Sequence, residues 1–154
     1  MLIATRASTP LPATGRWELR QRLASHVIDE SLDRARPHLQ AWAVYSLSDP
    51  RHLRAYRYVG QTRAPVRRLL QHVAAARVAA RAASTDDTEA RWWIAPGECA
   101  PLQAWIQALY AEGRRLPCLV IHRWEASARD ALDAERLLID ACLAQGPDLC
   151  NVEA

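Results

Sequence analysis

The sequence predicts a small α/β domain of the α+β kind, with a mainly antiparallel three-stranded sheet flanked by helices. A length of 154 residues fits one domain of ordinary size. The composition, 50% hydrophobic and 24% charged, is that of a globular chain. Segments with helical spacing of apolar residues alternate with short strand-like segments, in the order helix, hairpin, helix, helix, strand, helix.

The chain divides at about residue 40. Residues 1–40 are predicted to form a loose N-terminal arm and a helix, and residues 41–154 the domain that carries the chemistry. The helix is expected from Arg16 to about Arg36, where Pro37 ends it. Its apolar residues recur at helical spacing: Trp17, Leu19, Leu23, Val27, Ile28 and Leu32.

Two strands follow and are predicted to pair as a hairpin. Residues 41–47 and 55–60 are rich in aromatic and β-branched side chains, with a Ser-Asp-Pro turn after the first. The connection is too short for a helical crossover, so the strands should run antiparallel. Strict alternation in the second strand predicts a shared face for Tyr56, Tyr58 and Gly60.

The second half of the chain predicts two more helices, a strand and a closing helix. We expect helices over 65–83 and 101–113 and a strand over 116–124. Ser127 should cap the last helix, which runs to about Gln145. Its buried stripe is predicted to hold five residues: Ala128, Leu132, Leu138, Ile139 and Cys142.

Several classes of protein are excluded by composition. No apolar run approaches the roughly 18 residues of a membrane span, and residues 1–12 are too short and polar for a signal peptide. The four cysteines lack paired CxxC spacing, so reduced thiols and a cytoplasmic location are expected. A net charge of +3 does not by itself require nucleic acid, although every basic residue is Arg.

Three groups of residues are candidates for chemistry. Glu135 lies on the apolar stripe of the last helix, where a carboxylate is costly unless it meets a cation or an arginine. Arg68 and His72 share one helix face, which is expected to meet solvent or a cleft and could hold phosphate and accept a proton. Tyr45 and Tyr58 stand on adjacent strands and are either core residues or converging hydroxyls.

Taken together, these residues resemble the GIY-YIG nuclease family. Ala43-Val44-Tyr45 matches the first motif, with Ala where Gly is usual, and Tyr58-Val59-Gly60 matches the second. Arg68 follows Tyr58 at the family's spacing, and His72 comes four residues later. Further matches continue to the end of the chain: Trp105 to Leu109, Leu119 to Ile121, Glu135 before an apolar run, and Leu149-Cys150-Asn151.

The resemblance implies a metal-dependent endonuclease that hydrolyses DNA. Glu135 would bind Mg²⁺ or Mn²⁺, and Arg68 would contact the scissile phosphate. Tyr45 would act as base or relay with His72, Tyr58 would orient water or phosphate, and Asn151 would hydrogen-bond within the site. Four arginines are predicted to bind nucleic acid: Arg63, Arg67, Arg68 and Arg77.

Other interpretations stay open from the sequence. A non-catalytic nucleic-acid-binding module on the same fold, or an interaction protein with buried tyrosines, would use the same residues differently. Trp92 and Trp93 either stack on bases or pack against a helix. A homodimer is attractive because both strands of a duplex must be cut. No zinc finger or helix-turn-helix motif is recognised that would predict the DNA specificity.

Overall fold

The computed structural model describes residues 15–32, 41–84, 100–146 and 148–151. Over these residues the chain is an α+β fold, a mixed four-stranded sheet with four helices. The elements, in chain order, are α1 Arg16–Ala24, β1 Val27–Asp29, β2 Trp42–Asp49, β3 His52–Thr62, α2 Pro65–Ser84, α3 Ala100–Gly113, β4 Cys118–Glu125 and α4 Ala128–Gln145.

The sheet contains one strand more than the sequence predicts. Its order is β1-β4-β2-β3, and β1 pairs parallel to β4 while β2 pairs antiparallel to both β3 and β4. The expectation of three strands is therefore wrong, although the antiparallel hairpin is confirmed. The extra strand, β1, lies inside the segment that was expected to be helical.

The N-terminal helix is shorter than predicted because its pattern fits only two turns. Leu19 and Leu23 are buried, whereas Trp17 is 67% exposed and Leu32 is 97% exposed. After Ala24 the chain turns, and the β-branched residues Val27 and Ile28 pair with β4 instead of continuing the helix. Residues 33–40, with the expected helix end at Pro37, lie outside the described residues.

The two faces of the sheet are covered by different helices. One face packs under α1, α2 and α3, and its core includes Leu19, Tyr45, Leu69 and Ile106. The other face packs against α4, where Val44 meets Ala131 and Ala134. The candidate site forms where the α2 side of the sheet meets the end of β3.

The buried stripe of α4 differs from the predicted one. Ala131 and Ala134 are buried, while Leu132 is 38% exposed and Ala128 is exposed. Small side chains at the contact let the helix lie close to the sheet, and this turns Leu132 outward. The predicted start is confirmed, because the Ser127 hydroxyl accepts a hydrogen bond from the Asp130 backbone N–H at 3.1 Å.

A β-bulge in the hairpin corrects the predicted face of Tyr56. Leu47 pairs with Tyr58 and the next residue, Ser48, pairs with Tyr56, so one residue of β3 is extra. Tyr56 therefore lies on the α4 side, with its ring 4.9 Å from that of His122. Tyr58 and Gly60 keep the α2 side.

Candidate functional site

Tyr45 is the centre of the site and is placed by the close approach of β2 and β3. It lies opposite Gly60 in the strand pairing and is fully buried. A Cβ at Gly60 would lie 2.8 Å from the Tyr45 hydroxyl oxygen and 2.9 Å from Cε1 of Tyr58. Glycine at this position leaves the space into which the phenol ring fits.

Two side chains of α2 meet the Tyr45 hydroxyl from different directions. His72 Nε2 lies 2.9 Å from that oxygen, and Arg68 Nε donates to it at 3.4 Å. A guanidinium can only donate, so the phenol oxygen accepts from Arg68, and the phenol can donate its own proton to His72 Nε2 in the tautomer that leaves this nitrogen unprotonated. In that tautomer Nε2 is the acceptor, and Arg68, Tyr45 and His72 form one hydrogen-bond chain.

The burial of His72 differs from the sequence expectation of a solvent or cleft position. Its side chain is 1% exposed, while Arg68 is half-buried. The reason is the wide buried arc of α2, which packs on the sheet through the core and also on α1 and α3. His72 therefore faces the tyrosines of the sheet.

Tyr58 completes an aromatic cluster around the imidazole. Its ring centroid lies 5.1 Å from that of His72 in an edge arrangement and 6.2 Å from that of Tyr45. Aromatic rings at these separations attract through their edge-to-face charge distribution. Tyr58 is half-buried, so the aromatic cluster reaches from the buried Tyr45 and His72 side chains to the surface.

The electrostatics of the site keep Tyr45 protonated. Burial raises its pKa far above the usual 10, the neighbouring Tyr58 adds to the rise, and Arg68 opposes it. A phenolate at neutral pH is therefore excluded in this state. The hydroxyl can hold or relay a proton but does not act as a standing base.

Glu135 of α4 interacts electrostatically with the same group of residues. Burial raises the pKa of its carboxyl group, and the side-chain amide of Gln61, followed by Arg136 and Arg68, opposes the rise. The carboxylate also contributes to the raised pKa of Tyr45. The structure thus brings five predicted residues into one electrostatically linked cluster: Tyr45, Tyr58, Arg68, His72 and Glu135.

Gln61 is a site residue that the sequence analysis did not assign. Its side-chain amide hydrogen-bonds to the Glu135 carboxylate, and its Oε1 atom is buried without a hydrogen-bond partner. An unsatisfied buried oxygen is costly and requires an explanation. Its position directly after the Tyr-Val-Gly motif was the available signal.

These oxygens fit a hard divalent cation. Carboxylate and amide oxygens are ligands for Mg²⁺, which keeps several waters in its shell. In the described part of the chain, no three His, Cys, Asp or Glu side chains gather as a metal site. A cation at Glu135 would therefore take most of its ligands from water and from a bound substrate.

Asn151 serves the site indirectly. Its side-chain amide accepts from the backbone N–H of Val59 at 2.9 Å and donates to the Val59 carbonyl at 2.8 Å. The neighbouring Cys150 N–H bonds to the Arg57 carbonyl. These contacts replace a missing strand partner at the edge of β3, between Tyr58 and Gly60.

The predicted nucleic-acid arginines differ in their positions. Arg63 and Arg67 are exposed, and Arg63 lies 5.8 Å from the ring centroid of Trp42. Arg77 is half-buried beside α1. Residues 63–84 contain no acidic side chain, so α2 presents a positive surface. Trp92 and Trp93 lie outside the described residues.

No family model, curated protein or solved structure matches this chain. In addition, none of the helices described is long and apolar enough to cross a membrane. Cys118, Cys142 and Cys150 are thiols. Inference about function therefore starts from the geometry of the site.

Proposed function

We propose that the protein is a metal-dependent DNA endonuclease of the GIY-YIG kind, as its motifs imply. The supporting observation is the convergence of an arginine, a tyrosine–histidine pair and a carboxylate from three different elements. Arg68 and His72 come from α2, Tyr45 from β2 and Glu135 from α4. A purely structural cluster has no need of a half-buried carboxylate whose pKa is raised by burial.

Arg68 would bind the scissile phosphate. Its guanidinium is half-buried next to the Tyr45 hydroxyl, and arginine forms strong, directed pairs with phosphate oxygens. A phosphate that draws the guanidinium outward would uncover the phenol hydroxyl. The attacking water would then meet a hydroxyl that is already hydrogen-bonded to His72.

The Tyr45–His72 pair would carry the proton away from the water. As the water oxygen bonds to phosphorus, the phenol accepts the water proton and passes its own to His72 Nε2. The bond from phosphorus to the 3′ oxygen breaks, and that oxygen takes a proton from solvent. A concerted transfer of this kind avoids the phenolate that burial of Tyr45 disfavours.

Glu135, with Gln61 beside it, would hold the divalent cation. A bound Mg²⁺ or Mn²⁺ ion offsets charge on the scissile phosphate and the leaving oxygen. Burial raises the pKa of Glu135, while the hydrogen bond from Gln61 and the charges of Arg136 and Arg68 favour the ionised form that the cation needs. The homodimer and the cytoplasmic location stay predictions.

One observation favours the alternative of a non-catalytic nucleic-acid-binding module. Tyr45 and His72 are 0% and 1% exposed, as expected for a hydrogen-bonded pair of the core. In that case the positive surface of α2 would bind DNA, and Glu135 would have no role in it. Binding unaffected by Glu135→Gln and steeply weakened by salt is the mark of this alternative.

The deciding experiment is a plasmid-nicking assay with the full chain. Supercoiled DNA is incubated with the wild type and with Glu135→Gln, in Mg²⁺, Mn²⁺ or EDTA. Nicking by the wild type with either metal, and its loss in EDTA and in the variant, supports the endonuclease.

Asp140→Asn is the matched control, because it removes an exposed carboxylate from the same helix. It should nick like the wild type. Cleavage that persists in Glu135→Gln would remove Glu135 from the metal role, and no metal-dependent cleavage of plasmid or oligonucleotide substrates would overturn the enzyme.

A further inference from the structure

A groove between α1 and α2 lies beside the site and has no role in the hydrolysis described above. It encloses about 460 Å³, within the roughly 300–1,000 Å³ range of ligand pockets. Three of its lining side chains are apolar, and two arginines and a glutamine complete the lining. The lining residues are Arg16, Leu19, Leu70, Gln71, Ala74 and Arg77.

The chemistry of the groove matches a nucleotide. A base has an apolar π-face, which suits Leu70 and Ala74, and polar edges, which suit the amide of Gln71. A guanidinium can stack on a base or pair with its phosphate. Arg16 and Arg77 stand at the groove from different helices, and neither α2 nor its approach from Arg63 contains an acidic residue.

A hydrogen bond between Arg68 and Gln71 connects the groove to the candidate site. Gln71 lines the groove and accepts from Arg68 Nη1 at 3.3 Å, while Arg68 Nε bonds to Tyr45. A phosphate held by Arg68 would therefore lie next to Gln71 and so next to the groove. The nucleotide next to the cleaved bond is the one that would reach the groove.

We propose that this groove binds an unpaired nucleotide of a DNA strand next to the scissile phosphate. A base can enter only when it is out of the duplex stack, and an unpaired base does so at least cost. The substrate class is therefore DNA with a single-stranded or branched segment. This inference rests on the proposed function, since it places the cleaved phosphate at Arg68.

The test is an equilibrium binding measurement in EDTA, where no cleavage occurs. Fluorescein-labelled single-stranded DNA, blunt duplex, duplex with a single-stranded flap and single-stranded RNA of matched length are compared by anisotropy. We expect single-stranded and flapped DNA to bind about tenfold more tightly than blunt duplex, given the stacking of one base.

Ala74→Leu fills the groove without changing its charge and should remove most of this preference while leaving duplex binding and the melting temperature unchanged. Arg77→Gln should weaken single-stranded DNA more than duplex. The control is Arg22→Gln, an exposed arginine of α1 that does not line the groove, and it should preserve the preference.

Equal binding of single-stranded and duplex DNA, or a preference that survives Ala74→Leu in a protein that melts like the wild type, would overturn the proposal. Tighter binding of RNA than of DNA would overturn the choice of DNA. The plasmid assay is independent: absent nicking with a retained single-strand preference overturns the nuclease and supports the groove as a binding site.

Discussion

Gly60 lies directly opposite Tyr45, and the phenol of Tyr45 occupies the space that a Cβ at Gly60 would need. The nearest atom to that Cβ would be the Tyr45 hydroxyl oxygen, at 2.8 Å, so the ring would have to shift. The same oxygen accepts from Arg68 and lies against His72. A change of one methyl group at Gly60 therefore reaches the whole hydrogen-bond chain.

Gly60→Ala should lower the free energy of unfolding by about 1–3 kcal/mol, the usual cost of overpacking a core. The measurement is urea denaturation followed by circular dichroism, with near-ultraviolet spectra reporting on the tyrosines. Gly15→Ala is the control, because nothing lies within 4 Å of a Cβ there. An unchanged midpoint for Gly60→Ala would contradict the packing described at Tyr45.

Removing the Tyr45 hydroxyl should destabilise the protein by deleting its buried hydrogen bond with His72 Nε2. Tyr45→Phe is expected to cost about 0.5–1.5 kcal/mol, the net contribution of a typical hydrogen bond. The double variant with His72→Leu should be less destabilised than the two single variants predict, with a coupling of roughly 0.5–3 kcal/mol. Strict additivity would show that the two groups do not interact.

Glu135→Gln should stabilise the metal-free protein at neutral pH while abolishing its response to Mg²⁺. The raised pKa means that the folded protein holds the Glu135 proton more tightly than the unfolded chain does. The wild type therefore loses stability as pH rises through that folded pKa, and the advantage of the variant should grow from pH 4 to pH 7. Urea denaturation at several pH values measures this difference.

Thermal melting with and without Mg²⁺ provides the second measurement on Glu135. The wild type should melt at a higher temperature with saturating Mg²⁺, because a cation that binds only the folded state stabilises it. Glu135→Gln should show no shift, and Asp140→Asn should shift like the wild type. An equal shift in all three proteins would place the bound cation elsewhere.

His122 should make the protein less stable in mild acid. Burial lowers its pKa below the ordinary 6.5, so the folded state binds fewer protons than the unfolded chain. Stability is then lost as pH falls through 6.5 towards the lowered folded pKa. His26 acts in the same direction, chiefly through burial. His122→Asn should reduce the pH dependence of the free energy of unfolding between pH 5 and pH 7.5, measured by urea denaturation. His52→Asn is the control, because His52 is exposed.

Asn151→Asp should loosen the outer edge of β3. The variant keeps an acceptor for the Val59 N–H but places a second oxygen against the Val59 carbonyl in place of the donor. We expect a loss of about 1–3 kcal/mol in the free energy of unfolding and faster hydrogen exchange at Val59. Unchanged exchange there would show that Asn151 does not hold the strand.

The elements with strong hydrophobic periodicity could be predicted from the sequence. Elements that form only by pairing with a strand far along the chain could not. The helix expected over 65–83 is α2, and the Ser127 cap lies where the sequence places it. β1 could not be predicted, because its three residues are stabilised by pairing with β4, far along the chain. The bulge that separates Tyr56 from Tyr58 likewise depends on the partner strand.

The candidate site shows the same division. The motif residues Tyr45, Arg68 and His72 were named from their spacing, and the structure brings them within hydrogen-bonding distance. The burial of His72 cannot be predicted from helix periodicity. Periodicity identifies the most hydrophobic face of a helix, but it carries no information about a tyrosine hydroxyl on a neighbouring strand. The role of Gln61 is hidden from the sequence for a related reason, because its buried oxygen without a hydrogen-bond partner is a property of three-dimensional packing.

The parallel strand β1 has a consequence for the order in which the chain folds. In the sheet, β4 lies between β1 and β2, although both of those strands precede it in the sequence. On the ribosome, β1 and the β2–β3 hairpin emerge long before the strand that joins them, and contacts of such long sequence separation form slowly. The four-stranded sheet can therefore form only after β4 has been synthesised. The delay sets the period during which strand edges are open to chaperones and to other nascent chains.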